Sequence, residues 1–191
     1  MSAEGLTGRR ERKKARTRTS ISDAATRLFL ERGFEQVTVK EIADAADVSP
    51  TTVFAHFPTK ESLVFDEDPQ QQADLVAAVR ERPPGQSVLD ALETHLVNEL
   101  THRGYDDHEL EVFVDMVNRT PALREHQRRL LRLREVALTD AIMAGSEAGR
   151  TSAATLARFV LDAVDLARDY PDHQQVLHQA FEILRAGWSA D

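Results

Sequence analysis

The sequence predicts an all-α protein of about nine helices, with a three-helix head of helix-turn-helix type at the N-terminus and a larger helical body behind it. Three observations carry that prediction. Apolar residues recur at three- and four-residue spacing along nearly the whole chain, the period of an amphipathic helix. Glycine and proline number only 8 and 7 among 191 residues, roughly 8% where ~12% is usual. No segment alternates apolar and polar residues as a half-buried strand does.

Ile21, Ala24, Ala25, Leu28 and Phe29 form the apolar stripe of a first helix, and Gly33 ends it. As the left-handed residue beyond the C-cap, Gly33 sets Phe34 where a Schellman motif places an apolar residue against Phe29. Thr38 and Glu41 make a capping box flanked by Val37 and Ile42, so a second helix starts there and runs to about Ala46. After Asp47 the pattern returns, with Ser49 as N-cap, Pro50 at the first helical position and Val48 and Val53 alongside, for a third helix to about Phe57. A fourth helix is expected from Thr59 and Lys60 past Phe65 to Val79, with the Pro69-containing stretch 66–70 bending or interrupting it. Five more are expected at about 87–100, 107–118, 121–148, 152–169 and 172–186. The chain so divides into a basic arm (1–18), a head (19–65) and a body (66–191).

Charge follows the same division. Residues 1–18 hold seven bases and two acids, whereas 13 bases face 23 acids from Asp66 onward, so the net charge of −8 describes neither end. A basic head on an acidic body suits a protein that meets a polyanion at one end. The basic run has no apolar run behind it, so it does not read as a secretory signal, and no stretch approaches the ~18 apolar residues of a membrane span. A cytoplasmic protein with no membrane partner is expected. The sequence has no cysteine, which excludes disulfides, thiolate metal sites and cysteine nucleophiles.

The head carries the most specific pattern. An apolar first helix ends in Gly33-Phe34, Thr38 caps a second helix containing Ile42-Ala43, and Val48-Ser49 precedes a short helix closing on Phe54-Ala55-His56-Phe57, followed by Lys60-Glu61. This arrangement resembles the DNA-binding head of the TetR family of bacterial transcriptional regulators over about residues 17–65. A helix in the major groove reads base edges near its N-terminus. Thr51 and Thr52 are therefore the base-edge candidates, since a threonine offers a hydroxyl of either polarity and a methyl for thymine. Thr38, Ser49, His56 and Lys60 match the family's phosphate-contacting positions, and capping by Thr38 and Ser49 is compatible with that role. Phe54 stands where the family usually has tyrosine, which leaves apolar contact with sugar or thymine in place of a phosphate hydrogen bond. Thr51 replaces a frequent glycine. Phe57 is expected in the core. In the arm, Arg16 and Arg18 lie nearest the folded helix and are the better candidates for phosphate or minor-groove contact, ahead of Arg9 and Arg10.

The resemblance implies a body that encloses a small-molecule effector and pairs with a second copy through its last two helices. For the effector, the facing positions Leu92, His95 and Leu96, then Phe113, Met116 and Val117, then Arg134 are candidates, with Asn98 and Asp115 as further polar groups. A hydrophobic ligand with one or two polar groups is expected, its signal carried by the fourth helix. For a homodimer interface, Leu156, Phe159, Val160 and Ala163 form one stripe and Val176, Leu177, Ala180, Phe181 and Leu184 another. The expected function is a ligand-responsive regulator, in the family's usual mode a repressor, bound as a homodimer to a palindromic double-stranded DNA operator.

Two other functional classes fit the sequence less well. An enzyme would need a constellation the sequence lacks: there is no His-Glu-x-x-His, Gly-x-Ser-x-Gly or phosphate-cradling loop, and no cofactor, metal or catalytic residue is expected. The cluster His102, Asp106, Asp107, His108 falls in an expected loop and reads as solvated. A purely protein-binding helical module has no use for the basic arm.

Overall fold

The computed structural model describes residues 3–66, 68–102, 107–168, 170 and 172–187. Asp106 of the histidine and aspartate cluster lies outside them. Among the described residues there are nine α-helices and one 3-10 turn, with no strand. They pack as two compact units, Met1–Asp66 with Tyr105–Gln127, and Glu67–Gly104 with Arg128–Asp191.

The first unit holds α1 (Ala3–Arg32), α2 (Val39–Ala45), α3 (Pro50–His56), the 3-10 turn Glu61–Leu63 and α6 (Asp107–Arg119). The opening turns of α7 (Pro121–Gly145) belong to it as well. Its core is the predicted one: Ile21, Phe29, Phe34, Ile42, Val53 and Phe57 are each at most 5% exposed, and Val117 and Leu123 join them. Burial of each large side chain contributes about 1.5–3 kcal/mol. Gly33 has φ +79° and donates its N–H to the Phe29 carbonyl at 2.8 Å, a single-bond left-handed cap. The rings of Phe29 and Phe34 then lie 5.3 Å apart, which is the contact expected of that position.

Three features differ from expectation. The basic segment is not a separate arm, because α1 is already helical from Ala3. Arginine, lysine, alanine and glutamate dominate residues 9–18 and proline is absent there, so nothing stops the helix propagating toward the N-terminus. The fourth helix does not start at Lys60. Thr59 and Ser62 instead cap each other, Thr59 N–H on Ser62 Oγ at 3.3 Å and Ser62 N–H on Thr59 Oγ1 at 3.2 Å, closing a local turn. The next helix, α4 (Asp68–Arg80), begins only where Pro69 can occupy its first turn. No single helix therefore runs from Lys60 past Phe65 to Val79. The third feature is the α2–α3 turn, a complete Schellman motif built on Asp47, with Asp47 N–H on the Asp44 carbonyl at 3.3 Å and Val48 N–H on the Ala43 carbonyl at 2.9 Å. Asp47 adopts φ +53°, which costs a residue with a Cβ.

The second unit holds α4, α5 (Val88–His102), the later part of α7, α8 (Arg150–Arg168) and α9 (His173–Gly187). α9 packs on both α5 and α8, and α4 on α5. Arg82 fastens the loop after α4, donating to the carbonyls of Val79 at 2.6 Å and Gln86 at 3.0 Å and to that of Gly145. A Cβ at Gly145 would meet the Arg82 guanidinium at 2.7 Å, so a side chain there would have to displace Arg82 from these carbonyls. Arg185 on α9 pairs with Asp90 at 2.8 Å and with Glu93 on α5.

This packing revises the expected interface stripes. Leu156, Val160, Leu177 and Phe181 are completely buried, and Ala163 nearly so, within a single copy. The most apolar faces of α8 and α9 are used on each other and on α5, so these five residues cannot meet a second chain. Val176, Ala180 and Leu184 border that core half-buried. Phe159, Leu166 and Ile183 are the exposed large apolar residues of the two helices, at 53%, 48% and 74%.

Replacing Asp47 by glycine removes the left-handed strain at the price of a more flexible unfolded chain, and is expected to stabilise the protein by about 0.5–1 kcal/mol. Valine there should destabilise by about 1–3 kcal/mol. Urea unfolding of the two variants and the parent checks both signs.

Candidate nucleic-acid interface

The exposed face of α3 is built by its caps. Thr38 starts α2, accepting Glu41 N–H on Oγ1 at 3.2 Å while its own N–H donates to Glu41 Oε2 at 2.8 Å. The bonds that this carboxylate accepts from the Thr38 N–H and from the Thr38 hydroxyl, also at 2.8 Å, with Arg32 2.8 Å away, hold the Glu41 pKa at about 2, below its ordinary 4.5. Ser49 starts α3, accepting Thr52 N–H at 3.1 Å, and its hydroxyl also meets that of Thr52 at 2.9 Å. Pro50 occupies the first helical turn, Val53 and Phe57 point into the core, and Thr51, Phe54 and Ala55 are left facing water. Phe54 is 50% exposed, an apolar ring that the head itself does not use.

The expected cations divide into two groups. Arg18 is engaged inside the head. It donates to the carbonyl of His56, the last residue of α3, at 3.0 Å and to that of Asp66 at 2.9 Å, with its guanidinium carbon 4.2 Å from the centre of the Phe57 ring. Lys60 is also turned inward. Its ammonium donates to the Phe34 carbonyl at 2.5 Å and lies 4.1 Å from the centre of the Phe34 ring, and burial pushes its pKa down. Both side chains fasten segments of the head to α1. Arg16, by contrast, is exposed.

His56 is partly buried, and that burial, reinforced by the charges of Lys14 and Arg18, pushes its pKa below the ordinary histidine value. At neutral pH it offers a neutral imidazole, able to donate one N–H to a phosphate without bringing charge. Lys14 is the residue sequence reasoning missed. It stands one turn before Arg18 on α1, hence on the same face, and its field reaches His56. Helical spacing carried that signal, which reading the segment as an arm discarded.

The effector candidates are divided between the units. Leu92 and Leu96 sit in the core of the second unit, where His95 lies 3.7 Å from Glu99 and Arg134 pairs with Asp68. Phe113, Met116 and Val117 stand on α6 against the core of the first unit, with Val117 only 3% exposed. Asp115 is exposed and pairs with Arg119 at 2.7 Å.

Residues 21–66 match the model of the tetR family of bacterial regulatory proteins. The head is thus similar to the DNA-binding head of that family. The chain is 39% identical to the transcriptional regulator TcmR of Streptomyces glaucescens over 85 residues, a stretch that spans 44% of this chain and 38% of that one. It is 34% identical to the regulator UidR of Escherichia coli over 96 residues, about half the length of each. These relatives are named as transcriptional regulators, not enzymes. The fold is similar to that of SmeT, solved in complex with triclosan, with a TM-score of 0.61 and 22% identity over 92% of each chain. No helix among the described residues is long and apolar enough to cross a membrane.

If Thr51 and Thr52 meet base edges, alanine at either should relax preference at particular base pairs by about 1–3 kcal/mol each. Lys14→Ala should weaken all sequences alike and flatten the salt dependence by about one unit, while Arg16, two residues away on the opposite face of α1, should matter less. Binding titrations on an operator and its point variants at three salt concentrations separate the two effects.

Proposed function

We propose that the chain is a transcriptional regulator acting as a repressor, which binds a palindromic double-stranded DNA operator as a homodimer and releases it when a small hydrophobic effector binds the body. The observation that carries the reading is α3. A seven-residue helix presents Thr51, Thr52 and a half-exposed Phe54 to solvent while its other face is sunk in the head's core. Beside it α1 brings a stripe of Arg10, Lys14 and Arg18 at four-residue spacing, the first two available to phosphates. Thr38 and Ser49 add hydroxyls at two helix starts, where backbone N–H groups attract anions.

A single short helix reads only a few base pairs, so useful specificity calls for a second copy related by two-fold symmetry. Phe159, Leu166 and Ile183 are the residues we assign to that contact, since they leave apolar surface exposed on α8 and α9. The effector reading draws on the family and on the triclosan held by SmeT.

Operator selection from random duplex DNA with the purified protein tests the function. A palindromic consensus whose affinity falls steeply with salt is expected, and binding indifferent to sequence contradicts it. Phe159→Asp or Ile183→Asp should give folded monomers by light scattering, whereas Phe181→Asp should not fold, because it buries an unpaired charge in the core.

A further inference from the structure

Among the described residues, two buried side-chain nitrogens have no hydrogen-bond partner, Arg134 Nε and His95 Nε2. Buried polar groups in native folds are normally paired, so each such orphan needs an explanation. Both stand beside the apolar core of the second unit: Arg134 is one turn before Leu138, and His95 adjoins Leu96. Arg134 is the more informative. Its side chain is 14% exposed and that of its partner Asp68 10%. One terminal nitrogen serves both the Asp68 carboxylate and Gln71 Oε1, the latter at 2.6 Å. The guanidinium is thereby neutralised and its plane held still, while Nε–H on the same rigid group stays unpaired. His95 Nε2, 3.7 Å from Glu99 Oε2, is beyond hydrogen-bond reach of it.

We infer that the Nε edge of Arg134 is a binding donor for the effector, and that the molecule it takes is neutral: an apolar compound carrying a carbonyl oxygen of ketone, ester or amide type. The inference rests on the proposed effector response and names its chemistry. A hydrocarbon leaves Nε–H unpaired. A carboxylic acid brings a second buried carboxylate to a guanidinium whose charge Asp68 already balances, and burying uncompensated charge is strongly unfavourable. A neutral acceptor completes the hydrogen bonding with no change of charge, on a donor already fixed by Asp68 and Gln71. His95 offers a second polar point whose donor or acceptor role depends on its tautomer.

Three compounds with a shared naphthalene body test this: 2-acetylnaphthalene carries the neutral acceptor, 2-ethylnaphthalene has nearly the same shape without it, and 2-naphthoate carries the charge. Calorimetric titration of the full chain without DNA separates this result from operator binding, so a chain indifferent to operators can still pass or fail here. The native protein should bind the ketone about ten-fold or more tightly than either of the others, as expected for one hydrogen bond from a charged donor. Arg134→Lys, which keeps the charge beside Asp68 but loses the Nε–H, should abolish that preference. Asp68→Asn, which keeps the acceptor and removes the balancing charge, should turn the preference toward 2-naphthoate. Circular dichroism establishes that each variant is folded, and Asp68→Asn carries the test alone if the lysine variant is not. A native protein that binds none of the three, that binds ketone and hydrocarbon equally, or that prefers the acid overturns the proposal, as does an unchanged preference in Asp68→Asn.

Discussion

A seven-residue helix has no stability of its own in water, so the direction in which α3 faces must be imposed from outside it. Burial of Val53 and Phe57 supplies most of that constraint, and Arg18 completes it at the helix end. The last turn of a helix leaves carbonyls unpaired and carries partial negative charge. Arg18 donates to the His56 carbonyl there, lies against the Phe57 ring and reaches on to the Asp66 carbonyl. One side chain on the long α1 thus fixes both the end of α3 and the end of the head. Lys60 does the same at the other end of α1, on the Phe34 carbonyl that follows the Gly33 cap. The outward display of Thr51, Thr52 and Phe54 is a consequence of these fastenings.

Much of the head was legible in the sequence because its signals are local. Thr38 with Glu41, Ser49 with Pro50, and Gly33 with Phe34 each act over a few residues; the two N-caps are found as predicted, and Phe34 meets Phe29 as predicted although Gly33 closes α1 with one hydrogen bond instead of a Schellman pair. What the sequence hid is the destination of long side chains. A run of arginines and lysines reads as available charge, yet whether Arg18 or Lys60 faces DNA or a carbonyl 26 to 48 residues away depends on tertiary packing. The same limit applied to α8 and α9. Periodicity identified their apolar faces, but it could not say which apolar residue meets the same chain and which is left outside, so Leu156 and Phe181 were grouped with Phe159.

The body shows what happens where polar groups are sunk among leucines. Arg82 spends its donors on three backbone carbonyls and closes a loop, and Arg185 joins α9 to two acids of α5. Those arginines are explained by the fold. Arg134 is only partly so, since its Nε–H is buried without a partner.

The most direct test of this account is the salt dependence of operator binding by Arg18→Gln, measured beside its thermal unfolding. If Arg18 is the clamp that orients α3, the variant melts at a lower temperature and binds more weakly, while the slope of affinity against salt remains that of the native protein. A slope smaller by about one unit with unchanged melting would contradict it, because Arg18 would then be a phosphate contact and α3 would be oriented without it.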